Sequence, residues 1–178
     1  AKGCSPAWGY PRDDSLFIMS TRFPPAIFSR CRTYRYTLWR EWDLFNKNYA
    51  MFIGLNPSTA DEVNNDPTVR RCIDYAKRWG YGAMCMMNAF SFRATDPTVM
   101  KAHPTPVGRK NDYWLREMAR EAGIIIAAWG LHGLHQNRQE KVLKLIQQPI
   151  HCLTITKDGI PGHPLYLKKS LTPVLFRE

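Results

Sequence analysis

Apolar residues cluster in short unbroken runs at positions 49–53 (YAMFI), 84–87 (MCMM) and 124–128 (IIIAA), with a fourth run around 152–155. Each is too short for a helix and is bounded by turn-forming residues, which predicts strands buried on both faces. Between them the period changes to that of a helix. Asp66-Pro67 is a helix start, since Asp caps free amides and Pro tolerates the first helical position. A helix follows over 68–79 with Ile73, Ala76 and Lys77 at i, i+3, i+4 spacing, ended by Gly80 and Gly82. A second is predicted over 111–122, with Trp114, Leu115, Met118 and Ala119 as its apolar stripe and Gly123 beyond its end. A third spans 136–147, with Val142, Leu143, Leu145 and Ile146 turned inward. Strands alternating with helices predict an α/β protein, a three-layer α/β/α arrangement around a mostly parallel central sheet. No internal repeat is visible.

Two flanking regions read differently. From Cys31 onward, Arg32, Tyr34, Tyr36 and Leu38 alternate with Thr33, Arg35, Thr37 and Trp39, predicting a strand with one face partly exposed, antiparallel or at an edge. Asn46-Lys47-Asn48 marks the turn into the first buried strand. Residues 1–30 hold Pro6, Pro11, Pro24 and Pro25 without a sustained period, and are expected to form an irregular arm with few core contacts. The single folded domain is then 31–178.

Composition fits that reading and narrows the partners. With 178 residues, 44% of them hydrophobic, the chain buries a substantial core within the size of one domain. A formal charge of +10 favours a polyanionic partner, because Lys and Arg set against phosphates release condensed counterions. The five cysteines include no Cys-x-x-Cys pair, and Cys85 and Cys152 lie inside apolar strands, where free Cys acts as a small hydrophobe. Neither a zinc site nor a disulfide framework is expected. No apolar run is long enough to cross a bilayer and no signal pattern opens the chain, so a cytoplasmic monomer is expected. With no Gly-rich phosphate loop or dinucleotide fingerprint, no cofactor is expected either.

The candidate chemistry lies at the strand ends. In an open parallel sheet the carboxyl ends of the strands share one edge, and ligands bind in the crevice there. The first strand runs into Gly54-Leu55-Asn56-Pro57-Ser58, the second into Asn88, the third into Trp129-Gly130, and the fourth is followed by Gly162-His163-Pro164-Leu165. Asn56, Asn88 and His163 are therefore expected to converge. Each signature alone is also an ordinary turn or loop.

Taken in order, these segments resemble the motifs of the uracil-DNA glycosylase superfamily. The first is similar to its Gly-x-Asn-Pro water-positioning motif and the last to its His-Pro leaving-group loop. The stretch 35–167 more closely resembles a bacterial and phage family catalogued only as a domain of unknown function. The superfamily resemblance implies the same α/β/α fold and hydrolysis of an N-glycosidic bond in double- or single-stranded DNA, without metal or organic cofactor. Such hydrolysis builds positive charge on the sugar and negative charge on the departing base while water attacks the anomeric carbon. His163 would donate to a base oxygen where charge develops. Asn56 would orient the water, with Asp61 and Asp66 as the nearby carboxylates, although Asp66 is equally explained as the helix cap. Gly54, Leu55, Pro57 and Ser58 would line the pocket. Asn88 would pair with the edge of a flipped pyrimidine, since an amide both donates and accepts.

Phe90 or Phe92 would stack on the base, unless both are core. Arg70 and Arg71 would meet phosphates. Leu165, Tyr166 or Leu167 would wedge into the stack, with Lys168 and Lys169 on the backbone. Arg30, Arg32, Arg35 and Arg40, interleaved with Tyr34, Tyr36 and Trp39, suit backbone binding with base stacking, or an ordinary half-buried sheet. The segment 59–71 lacks the aromatic that several superfamily branches carry, which leaves the identity of the base open. A binding module without chemistry, and a hydrolase of nucleosides or nucleotides, are the alternatives.

Overall fold

In the computed structural model, which describes residues 22–178, seven strands form one sheet. The elements follow in the order β1 (Ala26–Phe28), β2 (Arg35–Glu41), β3 (Tyr49–Gly54), α1 (Pro67–Arg78), β4 (Ala83–Asn88), α2 (Pro97–Ala102), α3 (Asn111–Arg120), β5 (Ile124–Ala127), α4 (Arg138–Leu145), β6 (Ile150–Cys152) and β7 (Val174–Arg177). Across the sheet the order is β1-β2-β4-β3-β5-β6-β7. β4, β3, β5 and β6 are mutually parallel; β2 and β7 run opposite to them on either side, and the edge strand β1 pairs antiparallel with β2.

Strand alternation divides the core in two. On one face Ala50, Phe52, Met84 and Met86 pack with Val69, Cys72, Tyr75 and Ala76 of α1. On the other, Met51, Ile53, Cys85 and Met87 pack with Met100 of α2, Leu115 and Ala119 of α3 and Val142 of α4. The result is the three-layer arrangement expected from the pattern. The thiols of Cys72, Cys85 and Cys152 are buried, and burial pushes each up from its ordinary range.

The ends of α1 follow from local chemistry. Asp66 accepts a hydrogen bond from the Val69 amide at 2.8 Å, and Pro67 occupies the first turn. At the other end Gly80 takes φ +81°, and Tyr81 N donates to Ala76 O at 3.0 Å. The left-handed residue is one a side chain rarely adopts, so glycine there stops the helix at little cost.

Four expectations need correction, and two elements have no expectation at all. Residues 26–30 are not an arm without core contacts: Ala26–Phe28 form the edge strand β1, and Phe23 stacks on Trp39 with ring centroids 3.8 Å apart. The earlier part, residues 1–21, lies outside the described residues. β2 is not half-exposed. It lies between β1 and β4, so Arg35 to Trp39 are all buried. The third helix starts at Arg138, because Gln136 and Asn137 take φ +53° and +55° and end a preceding 3-10 segment. β6 sits two to three residues earlier than the apolar run predicts. Finally α2 and β7 are too short to leave a periodic signature.

Replacing Asp66 by Ala leaves the first-turn amides of α1 without their cap. The expected cost is about 1 kcal/mol, read as a Tm lower by about 2–4 °C in a thermal melt, with Asn in its place largely restoring it.

Candidate active site

The connection after β3 runs through α1 on one face of the sheet and that after β4 runs through α2 and α3 on the other, so the two diverge at the carboxyl ends of adjacent strands, where open α/β sheets form their ligand crevice. The parallel register sets Gly54 beside Asn88, and alternation points both toward the α1 layer. The pairing continues past the strands: Ala89 N donates to Gly54 O at 2.8 Å, Phe90 N to Leu55 O at 2.8 Å and Ala94 N to Pro57 O at 2.9 Å. The Asn56 side chain locks the same two loops, its Nδ2 donating to Ala94 O at 2.7 Å and Pro57 O at 3.2 Å. With its NH2 fixed on backbone, the amide oxygen is the end left to receive a ligand or water.

Asn88 is 3% exposed, and its Nδ2 has no hydrogen-bond partner among the described residues. A buried amide donor without a partner costs about 1–3 kcal/mol, a penalty that a ligand acceptor would remove. A Cβ at Gly54 would lie 3.0 Å from Asn88 Oδ1, so glycine is what admits this amide beside β3. Two side chains absent from the sequence-based candidates hold the strand end from below. Asn111 Nδ2 donates to the carbonyls of Asn88 at 2.9 Å and Ala89 at 3.0 Å. Arg138, buried and ion-paired with Asp112, donates through Nε to Ala89 O at 2.6 Å. Arg138 lies four residues before Val142 on the apolar stripe of α4, a placement that marks it for burial.

His163 lies beside the end of β5, its Cβ 3.7 Å from where a Cβ would sit on Gly130. The Leu165 amide donates to its Nδ1 at 3.4 Å, capping a 3-10 turn over Pro164–Tyr166. Burial holds its pKa below the ordinary 6.5, opposed in part by the charge of Asp66. The ring is therefore neutral at pH 7, and with Nδ1 accepting, its proton resides on Nε2. That donor has no protein partner among the described residues.

The carboxylates are placed differently. Asp61 accepts from the amides of Asn64 at 2.7 Å and Val63 at 2.9 Å, which hold it down to about 2. So weak a base is unsuited to taking a proton from water. Asp66 is engaged as the α1 cap, and its role at the site is to bias His163. Both carboxylates offered from the sequence for the water are thus engaged by backbone amides of their own segments.

Of the aromatics, Phe90 is 0% exposed within the core and cannot stack on a ligand. Phe92 is half-buried, one face already on His103 at 4.0 Å. Leu55, Ser58 and Leu165 are half-buried around the crevice and Pro57 is buried. Tyr166 is 84% exposed beside His163. Leu167 packs into the α1 core instead. Arg70 and Arg71 donate to the carbonyls of Asn65 and Leu165 at 2.6 and 3.5 Å, pinning loops to α1. Lys168 is exposed and Lys169 lies 3.8 Å from Asp74. Tyr36 and Trp39 are buried in β2 and offer no stacking face, and Arg35 and Arg40 point to carbonyls of the 60–64 loop.

Lowered by burial, the His163 pKa makes the unfolded chain the better proton acceptor. The stability this ring contributes is present above about pH 6.5 and is lost as pH falls through its lower folded value. Thermal melts across pH 5–8 should show this acid loss in the wild type and a flatter profile in His163→Gln.

No helix among the described residues is long and apolar enough to cross a membrane, and no group of three or more His, Cys, Asp or Glu is clustered to hold a metal. No curated protein and no solved structure matches the chain. Residues 35–165 match the family described as "Protein of unknown function (DUF1643)". The match spans the sheet from β2 through the His163 turn, crevice included, and the chain belongs to that family.

Proposed function

We propose that this protein is a DNA glycosylase of the uracil-DNA glycosylase type, hydrolysing the bond between deoxyribose and a damaged or modified pyrimidine. The observation that carries this reading is the buried Nδ2 of Asn88, without a partner among the described residues and held beside Gly54 at the strand ends, with the neutral His163 ring near the end of the neighbouring strand β5. A pyrimidine ring carries oxygens that accept from such donors and an N–H that an amide oxygen can accept.

In this reading the base leaves with the electrons of the C1′–N bond, and the His163 Nε2–H donates to the oxygen on which that charge collects. A neutral imidazole stabilises the anion without transferring its proton, as preorganised donors do in water-poor sites. Asn56 orients the water through its amide oxygen. With Asp61 held at about 2 and Asp66 capping α1, no strong base assists the attack, which suits a late addition of water to an oxocarbenium-like sugar, the water's proton passing to solvent after the C–O bond forms. Tyr166 is the exposed side chain placed to fill the stack that the flipped base leaves. The basic sequence supplies affinity for the phosphate backbone.

Incubation with uracil-containing oligonucleotides and with phage genomes carrying modified pyrimidines should release a free base detectable by mass spectrometry. Asn88→Ala and His163→Ala proteins that melt normally should lose about 100- to 1,000-fold in rate. Release unaffected by either change overturns the assignment, and binding without release supports a binding module. Gly54→Ala should displace the Asn88 amide and slow release by about tenfold or more, with little effect on Tm.

A further inference from the structure

Beside the crevice a second, open cleft of about 650 Å³ runs between the Ser58-Thr59 segment and the Phe92–Thr95 segment. These walls are the loops that follow β3 and β4, and Asn56 ties them together through Ala94 O. Its lining is rich in donors: the guanidinium groups of Arg32 and Arg93 and the hydroxyls of Ser58, Thr59 and Thr95, with the ring of Phe92. Arg32 is neutralised by Glu62 through two hydrogen bonds of 2.7 and 2.9 Å. Arg93 differs. It has no ion pair among the described residues, its Nε is buried and unpartnered, and its remaining contacts are the Arg32 carbonyl at 3.3 Å and the face of Phe28 at 5.1 Å. Behind it stands Arg35, 2% exposed, whose Nε also lacks a partner and whose charge Arg93 opposes.

The carboxylates facing this group are already engaged, Asp61 by its own turn, Asp66 by α1 and Glu62 by Arg32. Of the two arginines that line the cleft, Arg93 alone has no carboxylate partner among the described residues, and the hydroxyls of Ser58, Thr59 and Thr95 share the lining with it. Phosphate oxygens are strong acceptors that guanidinium forks match.

We propose that this cleft binds a backbone phosphate of the nucleic-acid strand whose base enters the crevice at Asn88, with Arg93 as its principal contact. The inference rests on the glycosylase reading for the direction of the strand, but its test does not require catalysis. A fluorescent single-stranded oligonucleotide with one abasic analogue at its centre is titrated with the protein at several salt concentrations. Arg93→Gln should weaken binding severalfold and lower the slope of log affinity against log salt by about 0.7, the value of one lost phosphate contact. Arg93→Lys should keep the slope, and Thr95→Glu, a change at an exposed position, should weaken binding by repulsion. Thermal melts confirm that each variant is folded. An unchanged slope in Arg93→Gln overturns the proposal, even where base release by the wild type upholds the glycosylase. A nucleoside monophosphate that binds as tightly as the oligonucleotide, and alone responds to Arg93, overturns it in favour of a free-nucleotide site.

Discussion

The parallel pairing of β3 with β4 is the constraint on which the site depends. It sets Gly54 against Asn88, then continues beyond both strands through the amides of Ala89, Phe90 and Ala94, so that two loops leave the sheet as one hydrogen-bonded unit. Asn56 closes that unit from above through the Ala94 carbonyl, and Asn111 and Arg138 close it from below through the carbonyls of Asn88 and Ala89. Buried backbone groups demand partners, and here they are met by side chains from α3 and α4. The Asn88 amide is thereby held still with its donor unmet, a cost that folding bears and that a ligand would relieve.

The opposite wall is built on a different principle. The turn at His163 is anchored to α1, through Arg71 to Leu165 O and through Tyr75 to Lys168 O at 2.6 Å. Its histidine is fixed in one tautomer by the amide it caps. Asp66 serves both sides: it starts α1, on which the turn docks, and its charge partly offsets the burial that depresses His163. Burial thus sets the protonation state of His163, and the cap residue of α1 tempers it.

Much of the fold was legible because buried parallel strands leave continuous apolar runs and α1 carries an Asp-Pro start and a Gly stop. The strand-end signatures were legible for the same reason, since strand ends in a parallel sheet share an edge. What stayed hidden depends on tertiary contact. Nothing local distinguishes Phe90, which the sheet swallows, from Phe92, which it leaves half out. Arg35 and Trp39 read as a surface pattern, yet β1 and Phe23 cover them. Asp61 carries the right group for a base, but two loop amides make it too acidic. Asn111 and Arg138 act through carbonyls far away in sequence; the i, i+4 spacing to Val142 marks Arg138 for burial but does not reveal those partners.

The central claim is that Asn88 and His163 meet one small ring from two sides. Isotope-labelled protein allows both the Asn88 side-chain amide and the His163 ring nitrogens to be followed by NMR while a free pyrimidine base is titrated in. The account predicts a His163 ring protonated at Nε2 before ligand is added, and Asn88 and His163 signals that shift together along a single binding curve. A ring protonated at Nδ1, or two residues that respond with different affinities or not at all, would contradict it.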